Sequence, residues 1–129
     1  MHNFTVDPVT ALVEVTLEGL ISIDESRNLC AELRRILGTL GRRPIKILVD
    51  ASLLQPVPPE VADEFRAVQQ FGLSRGVERV AQVVDSSVVL LQRNRIMRES
   101  GADPKTRTFR DRDEARGWLL SSPTIVPPR

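Results

Sequence analysis

The sequence has few of the side chains that usually carry catalysis or bind metal ions. It contains one histidine and one cysteine, which are His2 and Cys30. Nucleophilic catalysis needs a Ser, Cys or Thr held beside a base, and we expect His2 to lie in a flexible N-terminal end. A metal site needs several clustered ligands. We therefore predict no catalytic residue, no bound metal and no cofactor, and we expect Cys30 to be a small packed residue of the first helix.

The chain also lacks a strong charge of either sign and any long hydrophobic run. Its 18 basic and 17 acidic residues give a formal net charge of +1, whereas dedicated nucleic-acid binders usually have a large basic excess. We therefore expect no nucleic-acid partner. No apolar run approaches a membrane span, and the N-terminus shows no signal-sequence pattern. With a single cysteine, which cannot form an internal disulfide, this favours a soluble cytoplasmic protein without an integral membrane segment.

The bulk composition is that of one globular domain. The 129 residues are 41% hydrophobic and 27% charged, which is sufficient for a single core. We predict one domain over residues 1–120. Residues 121–129 contain several prolines and are predicted to form a flexible C-terminal tail.

Hydrophobic periodicity and turn residues divide the chain into alternating strands and helices. The predicted strands are 4–6, 11–19, 45–50, 79–84 and 106–109, and the predicted helices are 22–38, 60–73, 87–99 and 111–120. The order ββαβαβαβα predicts an α/β fold with a mainly parallel sheet and an N-terminal antiparallel hairpin at one side.

Two helix starts carry capping-box patterns, Ser22 with Glu25 and Asp111 with Glu114, in which side chains satisfy free backbone donors. Gly38 is predicted to end the first helix. In the second strand Val13, Val15 and Leu17 alternate with Glu14, Thr16 and Glu18, which predicts one buried and one solvated face.

The closing segment is rich in arginine. Ala115, Trp118 and Leu119 share one face of the last helix, beside Phe109 of the preceding strand. Four arginines are left for the solvated side among acidic neighbours: Arg107, Arg110, Arg112 and Arg116. Mixed charge on an exposed helix is the ordinary case, so we predict a salt-bridged surface and not a phosphate site.

The same segment, FRDRDEARGWL, resembles the F-x-D-x-x-E-A-x-x-W-L ending of SpoIIAA-like proteins, which belong to the wider STAS superfamily. Three other stretches are similar to family strands: VEVTLEGLISIDES, IKILVDAS and VERVAQVVD. The resemblance covers residues 12 to 120. It implies the STAS fold, a mixed sheet of four or five strands with four helices mostly on one face, and binding or regulatory roles without enzymatic turnover.

One departure from the family pattern bears on regulation. In the anti-sigma-factor antagonists of the family, a serine at the start of the second helix is phosphorylated. The matching stretch here, QPVPPEVADEF, contains no Ser or Thr, and Ser52 lies too early in the chain. No family functional residue therefore transfers to this sequence. Phosphorylation of Ser52, Ser86 or Ser87 has no support in the sequence.

Two regions are candidates for an interface with a partner. The first is a proline-stiffened loop predicted at 53–57, together with the following helix. Its apolar side chains either tuck under that helix or form an exposed contact. The second is the third helix, whose arginines either form an ordinary solvated face or a basic binding surface. The candidate interface residues are Leu53, Leu54, Gln55, Val57, Glu60, Asp63, Arg93 and Arg95.

These observations favour a non-enzymatic regulatory module that binds a protein partner or forms a homodimer. The alternative is a small-molecule or lipid carrier, since SpoIIAA-like domains resemble Sec14-type lipid-binding domains in fold. The carrier hypothesis predicts a roomy cavity beneath the second and third helices. An enzyme ranks last, because Asp50 and Asp85, at predicted strand ends, would have to act without a His, Cys or metal partner.

Overall fold

A computed structural model describes residues 1–41 and 43–121 of the chain. The strands are β1 (His2–Asp7), β2 (Leu12–Gly19), β3 (Ile45–Leu54), β4 (Val77–Val83) and β5 (Thr106–Phe109). The helices are α1 (Ile23–Thr39), α2 (Pro59–Ser74), α3 (Ser87–Ser100) and α4 (Arg112–Leu120), with a short 3₁₀ turn at Asp103–Lys105. The predicted order of elements is therefore confirmed.

The strands form a single sheet in the order β1-β2-β3-β4-β5. β1 pairs with β2 antiparallel, and the three remaining pairings are parallel. The predicted α/β class, with an antiparallel hairpin beside a parallel sheet, is confirmed. Parallel pairing brings the carboxyl ends of β2, β3 and β4 to one edge of the sheet, which is where open α/β sheets place binding sites.

The helices divide unequally between the two faces of the sheet. α1, α2 and α3 cover one face through the main core, which contains Leu37, Val61 and Ile96. α4 covers the other face through a smaller cluster, in which Ala115 and Leu119 meet apolar side chains of β2, β3 and β4. The prediction that the helices lie mostly on one face is therefore confirmed.

Local sequence signals place the helix starts correctly. The Ser22 and Asp111 side chains accept hydrogen bonds from the backbone amides of Glu25 and Glu114, as the capping boxes predict. The prediction that Gly38 ends α1 is wrong, because the helix continues through Thr39. The turn out of α1 instead uses Gly41, whose φ of +74° few other residues adopt.

The N-terminal end is ordered by pairing and not flexible, so the prediction for His2 is also wrong. His2 lies in β1 opposite Leu17, and its Nδ1 is 2.8 Å from Glu25 Oε2 at the start of α1. For the predicted C-terminal tail, residues 122–129 lie outside the described residues.

Candidate functional site

β3 is longer than predicted, and the extra residues change the candidate interface. The strand continues to Leu54 because β2 continues beside it, with Glu18 opposite Leu53 and Gly19 opposite Leu54. The prediction that Leu53 and Leu54 belong to a loop is therefore wrong. Successive residues of a strand point to opposite faces. Accordingly Leu53 is 67% exposed, whereas Leu54 is 5% exposed and belongs to the main core.

The segment after β3 is held firmly at both ends. The Gln55 amide donates to the Gly19 carbonyl oxygen at 3.0 Å. The Gln92 side chain on α3 accepts from the Val57 amide at 2.8 Å and donates to the Val57 carbonyl at 2.6 Å. These bonds take over from the β2–β3 backbone hydrogen bonds where the strand ends. Val57 is buried. Both alternatives for this segment thus occur: Leu54 and Val57 tuck inward, and Leu53 is exposed.

The exposed members of the candidate interface lie in two places. Leu53 and Gln55 lie at the end of β3, and Asp63 and Arg95 line the groove between α2 and α3. An ion-pair chain runs along that groove. Arg66 lies 2.8 Å from Asp63 and 3.2 Å from Glu99, and Arg95 lies 3.3 Å from Glu99. Leu20, Val88 and Leu91 are exposed apolar side chains that sequence reasoning did not single out. Leu20 directly follows Gly19, so it adjoins the end of β3.

We call the exposed part of this region the edge surface. It consists of Leu20, Leu53, Gln55, Glu60, Asp63 and Arg95. The burial of Leu54, Val57 and Arg93 removes these three predicted residues from any contact surface of this conformation.

Arg93 is the largest departure from expectation. The sequence places it on a solvated or basic helix face, but its side chain points into the protein and is 3% exposed. Its Nε donates to Gln82 Oε1 at 3.4 Å, and within residues 1–41 and 43–121 its Nη2 has no hydrogen-bond partner. Burial lowers the pKa of the guanidinium to about 10, so it keeps its charge at neutral pH.

A cavity lies beneath α2, where Arg93 ends. Apolar side chains from the sheet, α1 and α2 form most of its wall, and two polar residues complete it. The lining residues are Phe4, Val15, Leu17, Leu29, Leu33, Val49, Phe65, Val68, Gln69 and Arg93. Its volume of about 20 Å³ accommodates roughly one water molecule. The carrier hypothesis predicted a roomy cavity beneath the second and third helices. This one receives a single lining residue from α3, Arg93, and is small, so the expectation of a roomy cavity is wrong.

Asp50 is committed to contacts that hold the fold together. Its Oδ1 accepts from the Ser52 hydroxyl at 2.6 Å and the Ser52 amide at 3.1 Å, and its Oδ2 lies 3.1 Å from Arg112. Asp85 is exposed. The two strand-end acids therefore do not form a paired acid–base site.

The face of β2 predicted to be solvated is covered by α4. Glu14 is only 9% exposed, because Arg112 and Arg116 of α4 cover it. Their Nη2 atoms lie 2.9 and 2.8 Å from Glu14 Oε1. Arg112 and Arg116 are 31% and 37% exposed, so the prediction that they lie on the solvated side is wrong in part, although Arg116 does pair with its neighbour Asp113. Arg107 is exposed and lies over the partly buried rings of Phe109 and Trp118.

Cys30 is fully buried, and its thiol donates weakly to the Glu64 carbonyl oxygen. Burial raises the pKa of the thiol to about 12. In the described part of the chain, no three His, Cys, Asp or Glu side chains cluster as metal ligands would. No helix among the described residues has the length and apolarity needed to cross a membrane.

Comparison with known proteins fits this architecture. The SpoIIAA-like family model matches residues 12–120, so the chain belongs to the SpoIIAA-like family. No curated protein matches it significantly.

Two solved structures share the fold. A crystal structure of an uncharacterized DUF3478-family protein with a SpoIIAA-like fold, from Shewanella loihica PV-4, superposes with a TM-score of 0.68 at 15% identity, covering 92% of this chain and 93% of that one. The NMR structure of the protein TM1081 superposes with a TM-score of 0.64 at 12% identity, covering 95% and 90%. At these identities the likeness shows the fold alone.

Proposed function

We propose that the protein is a non-enzymatic regulatory module that binds another protein, or a second copy of itself, through the edge surface. The observation that carries this proposal is Leu53. This leucine pairs within the sheet, directly after a shift in the β2–β3 register, yet it is 67% exposed. Leu20, 73% exposed, lies at the same strand ends. Neighbouring apolar side chains exposed on a rigid frame are typical of contact sites.

The frame beneath Leu53 supports the proposal. The Gly19–Gln55 backbone bond and the two Gln92–Val57 bonds hold the strand end and the following turn in one conformation. A surface that is already ordered loses less conformational entropy when a partner binds. The edge surface therefore has the rigidity of a preformed docking site.

The edge surface also includes charged residues. Glu60 and Asp63 on α2 and Arg95 on α3 are exposed, so the surface carries both signs of charge. An apolar centre with a polar rim is the usual anatomy of a protein–protein interface. The expected partner presents an apolar side chain to Leu53 and groups of complementary charge to the rim. Residues 55–65 contain no Ser or Thr, so phosphorylation within this stretch does not regulate the contact.

The test compares Leu53→Asp with a matched control, Val9→Asp. Val9 is 84% exposed in the turn between β1 and β2, at the opposite end of the sheet. Tagged wild-type protein and both variants are used to capture partners from a lysate of the source cells, and light scattering measures self-association. Loss of a stoichiometric partner or dimer in Leu53→Asp alone supports the proposal. Equal association of all three proteins, or a monomer with no partner, overturns it.

We also propose carriage of a small molecule as a second candidate function, and one observation favours it. The buried guanidinium of Arg93 lines an apolar cavity beneath α2. Buried charges are normally paired, so this unpaired guanidinium could bind an anionic group of a small molecule in the cavity. Organic extraction of the purified protein, followed by mass spectrometry, tests this candidate. A stoichiometric small molecule supports it.

A further inference from the structure

We infer that the cavity beneath α2 is the anchoring end of a binding site for an apolar monocarboxylic acid, whose carboxylate pairs with Arg93. This inference rests on the second proposed function and names its ligand class. The first reason is the cost of the arrangement. Removing a charged group from water without a counter-charge is strongly unfavourable. In the described chain Arg93 forms no ion pair, and its Nη2 has no partner. Unfavourable features such as an unpaired buried charge are retained chiefly at functional sites.

A hydrogen bond to the Gln82 side chain orients the guanidinium of Arg93. Gln82, fully buried on β4, donates from Nε2 to Asn94 Oδ1 and Thr108 Oγ1, both at 2.8 Å. These two bonds fix the amide so that its Oε1 faces Arg93 Nε. Arg93 also lines the cavity, and because Gln82 engages its Nε, its terminal nitrogens are the groups available to a ligand there. A guanidinium presenting parallel N–H groups matches the geometry of a carboxylate.

Two helices contribute a polar side chain to this one cavity. The other large side chains that α2 and α3 bury are apolar, including Phe65 and Met97. The exceptions are Gln69 on α2 and Arg93 on α3, and both line the cavity. One polar residue could be an accident of packing. The convergence of two from separate helices gives the cavity a polar end and a wall of leucine, valine and phenylalanine.

Charge balance selects a monoanion. One carboxylate neutralises the single buried positive charge, whereas a phosphate dianion would leave a net negative charge in an apolar interior. A water molecule would fill the volume and accept a hydrogen bond from Nη2, but it would leave the positive charge uncompensated. The apolar wall favours a hydrocarbon tail behind the carboxylate.

A ligand larger than one water requires α2 to move away from the sheet. The helix begins after Pro58, whose side chain has no group that could cap it, and ends before Gly76 at φ +96°. The displacement grows with the length of the acid, so a medium-chain acid needs a smaller movement than a long-chain one. We expect medium-chain acids such as octanoate to bind and to shift the resonances of α2 more than those of α4.

The experiment measures binding of octanoate, methyl octanoate and 1-octanol by calorimetry and by amide chemical shifts. The proteins are the wild type, Arg93→Met and the matched control Arg98→Met, which removes an exposed arginine from the same helix. The inference predicts that octanoate binds the wild type and Arg98→Met, and that Arg93→Met binds it at least roughly 30-fold more weakly. The uncharged analogues should bind no protein detectably.

Each other outcome is informative. Equal binding of octanoate and its ester, undiminished in Arg93→Met, overturns the carboxylate pairing but leaves carriage standing. No binding of any compound, with a single ordered water beside Nη2 in a crystal structure, overturns both the carboxylate pairing and the proposed carriage of a small molecule. If Arg93→Met fails to fold, contacts between octanoate protons and Leu29, Leu33 or Phe65 of the wild type decide the question by NMR. Absence of those contacts then overturns the site.

Discussion

Arg112 Nη2 lies 2.9 Å from Glu14 Oε1, which joins the first residue of α4 to the middle of β2. Arg116 Nη2 lies 2.8 Å from the same oxygen, so one carboxylate receives two guanidinium groups. The apolar contact under α4 is small, with Ala115 and Leu119 as its buried residues. A short helix with little buried surface depends on such charged contacts for its position.

Replacing Glu14 with Gln should therefore loosen α4. The variant keeps the shape of the side chain but removes the charge that both arginines share. We expect a loss of about 1–3 kcal/mol in the free energy of unfolding, measured by urea denaturation. Trp118 fluorescence should report the change, because this tryptophan lies on α4. The control is Asp113→Asn, which removes an 87% exposed partner of Arg116 and should cost under about 0.5 kcal/mol. Equal losses of stability in Glu14→Gln and Asp113→Asn would contradict the conclusion that Glu14 holds α4 in place.

The same contact should weaken in acid. The hydrogen bond from Arg116, opposed by burial and assisted by Arg112, lowers the pKa of Glu14 below its ordinary value of 4.5. A lowered carboxyl pKa stabilises the folded state fully above the ordinary value, and that contribution is lost as the pH falls through the folded pKa. The stability difference between wild type and Glu14→Gln should be constant from pH 7 to 5 and shrink below about 4.5. A difference independent of pH would show that charge is not its origin.

Leu53 and Leu54 should respond oppositely to aspartate. Leu54→Asp buries a carboxylate in the main core and should cost at least about 3 kcal/mol, visible as loss of cooperative thermal unfolding in circular dichroism. Leu53→Asp places the same charge in solvent and should change stability by less than about 0.5 kcal/mol. If both variants unfold, Leu53 is not a surface residue, and the edge surface would have to be redrawn without it.

Cys30 should be unreactive in the folded protein. The thiolate is the reactive form, and burial raises the pKa of this thiol to about 12, so it stays protonated at pH 8. A thiol-specific reagent such as dithiobis(nitrobenzoate) should label the native protein no faster than the protein unfolds. Labelling in urea should be immediate and reach one thiol per chain. Rapid labelling of the native protein would mean that α1 opens locally.

Much of the fold could be predicted from sequence, because the decisive signals are local. Ser22 and Asp111 cap helices through backbone amides only three residues away, so short-range chemistry specifies these starts. The order of strands and helices limits the connections to a mainly parallel sheet. The extent of β3 was harder to predict. Its last residues depend on pairing with β2, a partner far away in sequence.

The sequence by itself thus determined the class of fold, the helix starts and the scarcity of catalytic side chains, since each depends on composition or on neighbouring residues. Tertiary structure alone decided which charged residues are buried. Glu14 and Arg112 are 98 residues apart, and periodicity places both on solvated faces. Arg93 likewise shares its helix with exposed arginines. Its burial follows from the packing of α3 against α2 and the sheet, which no local pattern contains.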